Sequence, residues 1–430
     1  MSSRHRTQVM IKIVSQKTKP ENQLEKTSSE EKKTASPRRR WFQFRLRTLL
    51  VLALLASGVF RWIGWELDQR RREKKTIEWA EGLSGSVYFS GDDFNGYGDI
   101  SWWLKTKDSW FGQRVASIVL RDDLDDLSPL TELKSLEALS CYGKNVSDLS
   151  PLAELKSLES FVCRSRNVSD PTPLAELKNL KKLSLSNAQV SDLSPLAGLK
   201  NLESLSLYAT PAVSDLSPLA GLKKLESLGF GRTGVSDLTP LASLKNLDTL
   251  GFDETAVSDL TPLAELKKLW VLSFSETQVS DLSTLAALKN LERLFLTDTE
   301  VSDLSPLANL NKITMLWLND TEVSDLSPLI GMENLSQLQL SKTKVTDLSP
   351  LANLSRLILL HLDDTEVNDL TPVAQHTYLS ELRLARTDVN DLTPLLGLTR
   401  LRSLDLNGTK VTKEQIDQLQ LALPNCEITR

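Results

Sequence analysis

VSDLSPLAGLKNLESLSL, Val190 to Leu207, is one copy of a unit that returns from about residue 115 almost to the C-terminus. Aligning the copies puts Asp126, Asp148, Asp170 and Asp192 in one column, twenty-two residues apart. One extra residue (Pro211 or Ala212) intervenes, and the column resumes at Asp215. It continues through Asp237, Asp259, Asp281, Asp303, Asp325, Asp347, Asp369 and Asp391. A fixed period of this length is the mark of a solenoid. Within one unit the apolar positions are Leu177, Leu180, Leu183, Leu185, Val190, Leu193 and Leu196. Leu183 and Leu185 have period two, so both point one way and Ser184 points the other, as in a short strand. The S-P-L or T-P-L that follows supplies a hydroxyl residue for a helix N-cap and proline for the first helical position. One unit is too small to bury its own leucines; stacked units bury them in a shared core.

This wording resembles the leucine-rich repeat, and most closely the repeats of the bacterial internalins, with their D-L-S/T-P-L-A and L-K/T-N-L segments. The resemblance covers about 300 of the 430 residues. It implies an α/β solenoid, a horseshoe with about 14 parallel strands on its concave face and short helical or 3-10 turns on its convex face. The expected strand centres run from Ile118–Leu120 to Leu404–Leu406, a sheet roughly 65 Å long at about 4.8 Å per strand. One column departs from the family. Where asparagine is usual, this chain has Thr210, Thr233, Thr255, Thr277, Thr299, Thr321, Thr343, Thr365, Thr387 and Thr409. A threonine hydroxyl can bond the neighbouring turn but brings fewer donors than an amide, so a looser turn face is expected.

Charge divides the chain. Residues 1–75 hold 19 Lys+Arg against 7 Asp+Glu, and residues 76–430 hold 32 against 49. The net charge of −5 is therefore +12 on the head and −17 on the body. A basic head on an acidic body points to a membrane or polyanion at the N-terminus, and no nucleic-acid partner is expected for the repeats. Residues 1–47 read as a disordered basic tail on the cytoplasmic side. Residues 48–65 read as a transmembrane signal anchor, with Arg61 near one end and Trp62 and Trp65 at the interface. A cleavable signal peptide with Ala56-Ser57-Gly58 as its cleavage site, or a buried or interfacial helix, are the competing readings. Five arginines in 38–47 outweigh the net +2 of Glu66–Lys75, which favours repeats outside the cytoplasm, at a bacterial cytoplasmic membrane.

Residues 66–112 read as a juxtamembrane helix and N-terminal cap, with a strand-like Val87, Tyr88 and Phe89 followed by Trp102, Trp103, Trp110 and Phe111. An uncovered first coil needs such a cap, and an aromatic ligand pocket is the functional alternative. The repeats proper span 113–412. Residues 413–430 read as a C-terminal cap with an amphipathic helix from Gln415 to Leu423. Both caps resemble those of membrane-anchored leucine-rich-repeat proteins of some environmental bacteria.

Chemistry is sparse. No phosphate loop, dinucleotide fingerprint, C-x-x-C or nucleophile elbow occurs. No catalytic, cofactor-binding or metal-binding residue is assigned, and no cofactor is expected. The histidines are His5, His361 and His376; His376 takes a leucine position and reads as a satisfied, partly buried side chain. Cys141 and Cys163 replace inward leucines and read as small hydrophobes. The aspartate column could be a calcium ladder, but the local reading, in which each carboxylate accepts backbone N–H groups ahead of the turn, is preferred.

Binding is placed on the concave sheet face, whose outward side chains owe nothing to the core. Its central column reads Ser184, Ser206, Gly229, Gly251, Ser273, Phe295, Trp317, Gln339, His361, Arg383, Asp405. Phe295 and Trp317 form an exposed aromatic step, flanked by Val271, Met315 and Leu359. Asp253, Asp298, Asp320 and Asp363 stand around the rim and His361 lies beyond. This is the pattern of an interaction hot spot for an unknown protein ligand; the bland alternative is scattered exposed hydrophobes. The expectation is a non-enzymatic, membrane-anchored protein-binding solenoid. Alternatives are a structural or self-associating surface component, or a secreted adhesin if the N-terminal segment is cleaved.

Overall fold

The computed structural model describes residues 38–83, 85–89, 115–121 and 125–430, with side chains from residue 46 onward except those of Arg47 and Phe89. Trp102, Trp103, Trp110 and Phe111 of the expected cap, and most of the expected tail, lie outside the described residues. The chain divides into two units, residues 1–66 and 67–430.

Helix α1, Arg38–Gly82, contains no proline, and the expected anchor and juxtamembrane helices are continuous in it. Its stretch from Thr48 is long and apolar enough to cross a membrane by length and composition, holding an 18-residue segment of mean hydropathy 1.6. Leu49, Leu50, Val51, Leu52, Leu54, Leu55, Val59 and Phe60 are all exposed. The end of α1 belongs to the second unit. There Thr76 Oγ1 donates to the Pro129 carbonyl at 3.1 Å, Ala80 is buried, and Ile77, Trp79 and Leu83 pack on the core.

One sixteen-stranded sheet follows, in strict sequence order. Its strands are β1 Ser86–Phe89, β2 Val115–Leu120, β3 Ala138–Cys141, β4 Ser160–Cys163, β5 Lys182–Leu185, β6 Ser204–Ser206, β7 Ser227–Gly229 and β8 Thr249–Gly251. They continue as β9 Val271–Ser273, β10 Arg293–Phe295, β11 Met315–Trp317, β12 Gln337–Gln339, β13 Leu359–His361, β14 Glu381–Arg383, β15 Ser403–Asp405 and β16 Glu427–Thr429. The fourteen repeat strands β2–β15 are the ones read from the sequence. Two more close the edges: β1 pairs antiparallel with β2, and β16, which the sequence reading missed, pairs parallel with β15. Between the repeat strands run short 3-10 turns, such as Ser194–Gly198, each presenting a buried apolar residue, Leu196 there and Val373 in Thr371–Gln375.

Three local devices hold a coil. Every aspartate of the column accepts the backbone N–H of the residue two positions on, at 2.7–2.8 Å. The hydroxyl residue expected at the N-cap is instead the first residue of the turn and makes no side-chain cap. Aspartate, one residue earlier than the leucine at the cap, supplies the acceptor. The Ser194 hydroxyl and N–H beside Asp192 hold its carboxyl below the usual carboxylate range, and the same pair at Ser150 does so for Asp148.

The threonine column also differs from expectation. Each hydroxyl donates within its own coil, to the carbonyl three residues upstream; Thr277 Oγ1 reaches the Phe274 carbonyl at 2.7 Å, and Thr321 that of Leu318 at 2.7 Å. The bonds between coils come from asparagines on the other side. Asn201, Asn246 and Asn290 donate from Nδ2 to the carbonyls of Lys178, Lys223 and Lys267 at 2.7–2.9 Å. The residue before each threonine closes the turn at positive φ, from Ala209 (58°) to Arg386 (58°) and Gly408 (72°), and Asn187 (65°) does the same ahead of Ala188. Thr277→Val keeps the side-chain shape and removes the donor to the buried carbonyl. It is expected to lower unfolding free energy by about 1–2 kcal/mol, read from the denaturant midpoint.

The core is a continuous run of leucines, with Phe230, Phe252 and Phe274 stacked in its middle. Their ring centroids are 5.6 and 5.8 Å apart, with planes within 13° and 16°. Cys141 and Cys163 are buried, free and side by side on β3 and β4; burial pushes the Cys163 thiol up to about 11. At the far end α2, Lys413–Ala422, begins with a capping box between Thr412 and Gln415 and buries Leu419.

Candidate protein-binding face

The alternation along each three-residue strand sends its central leucine inward and its first and third residues to the concave face. Register then sets the neighbours. Phe295 on β10 pairs with Trp317 on β11, and the rings meet edge to face, with centroids 4.6 Å apart and planes at 64°. Each shields the other, so both are half-buried instead of fully exposed. Met315 sits on the same strand and face as Trp317 and is also half-buried. These three residues form one contiguous patch.

The remaining predicted residues are less closely gathered. Arg293 lies between Val271 and Met315, and Gln337 lies between Met315 and Leu359. Arg293 itself lies over the Trp270 ring, 5.2 Å from its centroid. Gln339 separates Trp317 from His361. Asp298 and Asp320 are exposed on the rim, and Asp320 pairs with Lys342 at 3.0 Å.

Two expectations need correction. His361 is buried, and its Nε2 lies 2.9 Å from Glu381 Oε1 on the next strand. Asp363 is buried rather than a rim acid. Its Oδ1 accepts the Ala385 N–H at 2.9 Å, and Oδ2 lies 3.1 Å from Arg383 Nε. Asp253 behaves similarly, accepting the Ser275 N–H of the next coil at 2.8 Å. Both acids serve the joints between coils.

The sequence reading missed a polar basin of about 410 Å³ beside the aromatic step, lined among others by Asn319, Gln339, His361, Asp363 and Arg383. Asn319 Nδ2 donates to Gln339 Oε1 at 2.6 Å, which fixes the wall between basin and tryptophan. The signal was the run of polar residues down two adjacent columns, but pairing between coils is invisible in a single unit. His376 also differs from its reading. It is fully buried, and neither ring nitrogen has a hydrogen-bond partner. Burial lowers its pKa to about 4. Among the described residues no group of three or more His, Cys, Asp or Glu is placed to hold a metal ion.

Comparison with known proteins agrees with this architecture. A family model described as "Leucine Rich repeats (2 copies)" matches residues 178–221. An internalin (InlF) from Listeria monocytogenes is similar at 29% identity and a TM-score of 0.64, over 70% of this chain and 91% of that one. A leucine-rich-repeat protein from Leptospira interrogans shares the fold at 22% identity and a TM-score of 0.66, over 72% of this chain and 82% of that one. No curated protein matches by sequence. Repeat wording, coil geometry and these likenesses converge: the chain is an internalin-like leucine-rich-repeat protein.

Proposed function

We propose that the protein is a non-enzymatic recognition module, anchored in a membrane through residues 48–65, that binds a protein ligand on its concave face. The observation that carries the reading is the Phe295–Trp317 step. Two large aromatic rings on one sheet face, with Met315 beside them, are placed where the core does not need them. Half-buried aromatics in a polar surround are the usual anchors of a protein interface. Around them the face is small or polar, from Ser206 through Gly229, Gly251 and Ser273, so a partner backbone can lie close to the strands. The uncovered apolar surface of Leu49 to Phe60 supports the membrane anchor, and the five arginines before it favour repeats on the extracytoplasmic side.

Cross-linking in native membranes tests the binding role. A distinct partner, captured about tenfold less by Trp317→Ala at unchanged thermal stability, is the expected result. A ladder of multiples of this chain would instead indicate a self-associating surface component. Capture of the partner equally by both proteins would remove the aromatic step from the account. Alkaline carbonate extraction tests the anchor: full-length protein is expected to stay in the membrane pellet, and release would contradict it.

A further inference from the structure

We infer that the ligand of this face is an extended polypeptide segment carrying lysine or arginine side chains next to a bulky apolar residue, an inference that rests on the binding role proposed for the face. The argument is the coincidence of two features on the same coils. The aromatic patch occupies β10 and β11. The turns that follow β8, β9, β10 and β11 carry Asp253, Glu254, Glu276, Asp298, Glu300, Asp320 and Glu322, with no lysine or arginine among their residues from 252 to 257, 274 to 279, 296 to 301 and 318 to 323. The coils on either side carry bases at the corresponding places: Arg232 before, Lys342 and Lys344 after. Those flanking bases use up the outer acids, Arg232 pairing with Glu254 and Lys342 with Asp320, while Lys344 pairs with Glu322. Glu276, Asp298 and Glu300, directly beside the aromatic step, are exposed and form no ion pair.

The acidic edge is therefore open beside the apolar anchor, and ion pairs close it on the coils directly flanking the anchor. Arg293, the basic residue on the faces of β9–β11, lies over Trp270 near the opposite end of its strand and does not neutralise this edge. Like charges stacked on adjacent coils repel, and a cationic ligand relieves that repulsion as it binds. An extended segment fits because the binding surface is a sheet face running from strand to strand, bordered by acids that recur once or twice per coil. The three-residue strands already have their neighbours on both sides, which excludes strand addition at this place. The ligand side chains, one apolar over Phe295 and Trp317 and basic ones at the edge, then carry the recognition.

The test uses the full chain in detergent micelles and two fluorescein-labelled probe peptides. One alternates lysine and leucine around a central phenylalanine; the other has glutamate for every lysine. The cationic probe is expected to bind by anisotropy and the acidic one not to. Binding is expected to weaken about tenfold with Trp317→Ala, and about fivefold with the pair Glu276→Gln and Asp298→Asn. It should also weaken as salt rises from about 0.05 to 0.3 M, where the screening length shrinks. The pair is mild for the fold, since each amide keeps the shape of the exposed acid it replaces, and at position 298 (φ 54°) asparagine tolerates the left-handed region well. Equal, Trp317-dependent binding of both probes would overturn the charge inference and leave the binding face standing. Cationic binding indifferent to Trp317→Ala would overturn it as adsorption elsewhere on an acidic body. Absence of binding by the cationic probe at about 1 mM would also overturn it, while the cross-linking experiment judges the face separately.

Discussion

Phe252→Ala is expected to lower the unfolding free energy by about 3–5 kcal/mol, the largest effect of any single change considered. The ring is fully buried between Phe230 and Phe274, within 6 Å of both centroids. Truncation removes the transfer energy of the ring and both stacking contacts, and leaves a cavity in the middle of the solenoid. The coils cannot collapse into it, because each is fixed by its own aspartate and threonine closures and by strand pairing on both sides. Coupling in a solenoid passes between neighbours, so the centre of the chain should open first. Hydrogen exchange of the Leu228–Leu272 amides is expected to quicken more than that of Leu382–Leu404. Phe252→Leu refills most of the space and is expected to cost about 1 kcal/mol. An alanine variant as stable as the parent would mean that the phenylalanines do not fill the core as described.

His376→Leu is expected to stabilise the protein, by about 1–3 kcal/mol at pH 7, from the removal of two unpaired buried nitrogens. The column already holds Leu354 one coil earlier and Leu398 one coil later, both fully buried, so the leucine has a matching site. The pH dependence is more specific. Burial lowers the histidine from 6.5 to about 4 in the folded chain. Between those values the unfolded chain binds the proton and the folded chain does not. Stability therefore falls as pH drops from about 6.5 towards 4, by about 3 kcal/mol in all. Asp192, Asp215 and Asp347 of the column are held below the ordinary 3.8, so their stabilisation is lost from about pH 5 downward in parent and variant alike and cancels in the difference between them. Denaturant midpoints of parent and variant are expected to diverge as pH falls from 7 to 4. Parallel curves would contradict the unpaired burial of His376.

Much of this protein could be read from one repeat, because each coil is closed by contacts among its own residues. The leucine columns, the alternation that makes Ser184 and Trp317 face outward, and the local role of Asp192 all follow from spacing within twenty-two residues. Side chains that bridge coils were harder. Asp363 looked like a rim acid until Ala385, twenty-two residues later, provided the N–H that buries it. His361 lost its exposure to Glu381 in the same way. The aromatic step was legible as two neighbours in a column, while its half-burial was not, since the edge-to-face packing depends on rotamers. Threonine was read as a weaker ladder residue because the family's asparagine reaches between coils; here a short hydroxyl reaches its own coil instead, and Asn201 and its counterparts take over the bridging. Strand β16 was hidden because its sequence, Glu427–Thr429, lacks the repeat's leucines.

Small-angle scattering of residues 67–430 tests the shared leucine core most directly. Sixteen strands stacked at about 4.8 Å give a sheet about 70–75 Å long, so a skewed pair-distance distribution with a maximum dimension above about 75 Å is predicted. A symmetric distribution ending near about 55 Å, the size of a compact sphere of this length, would contradict it.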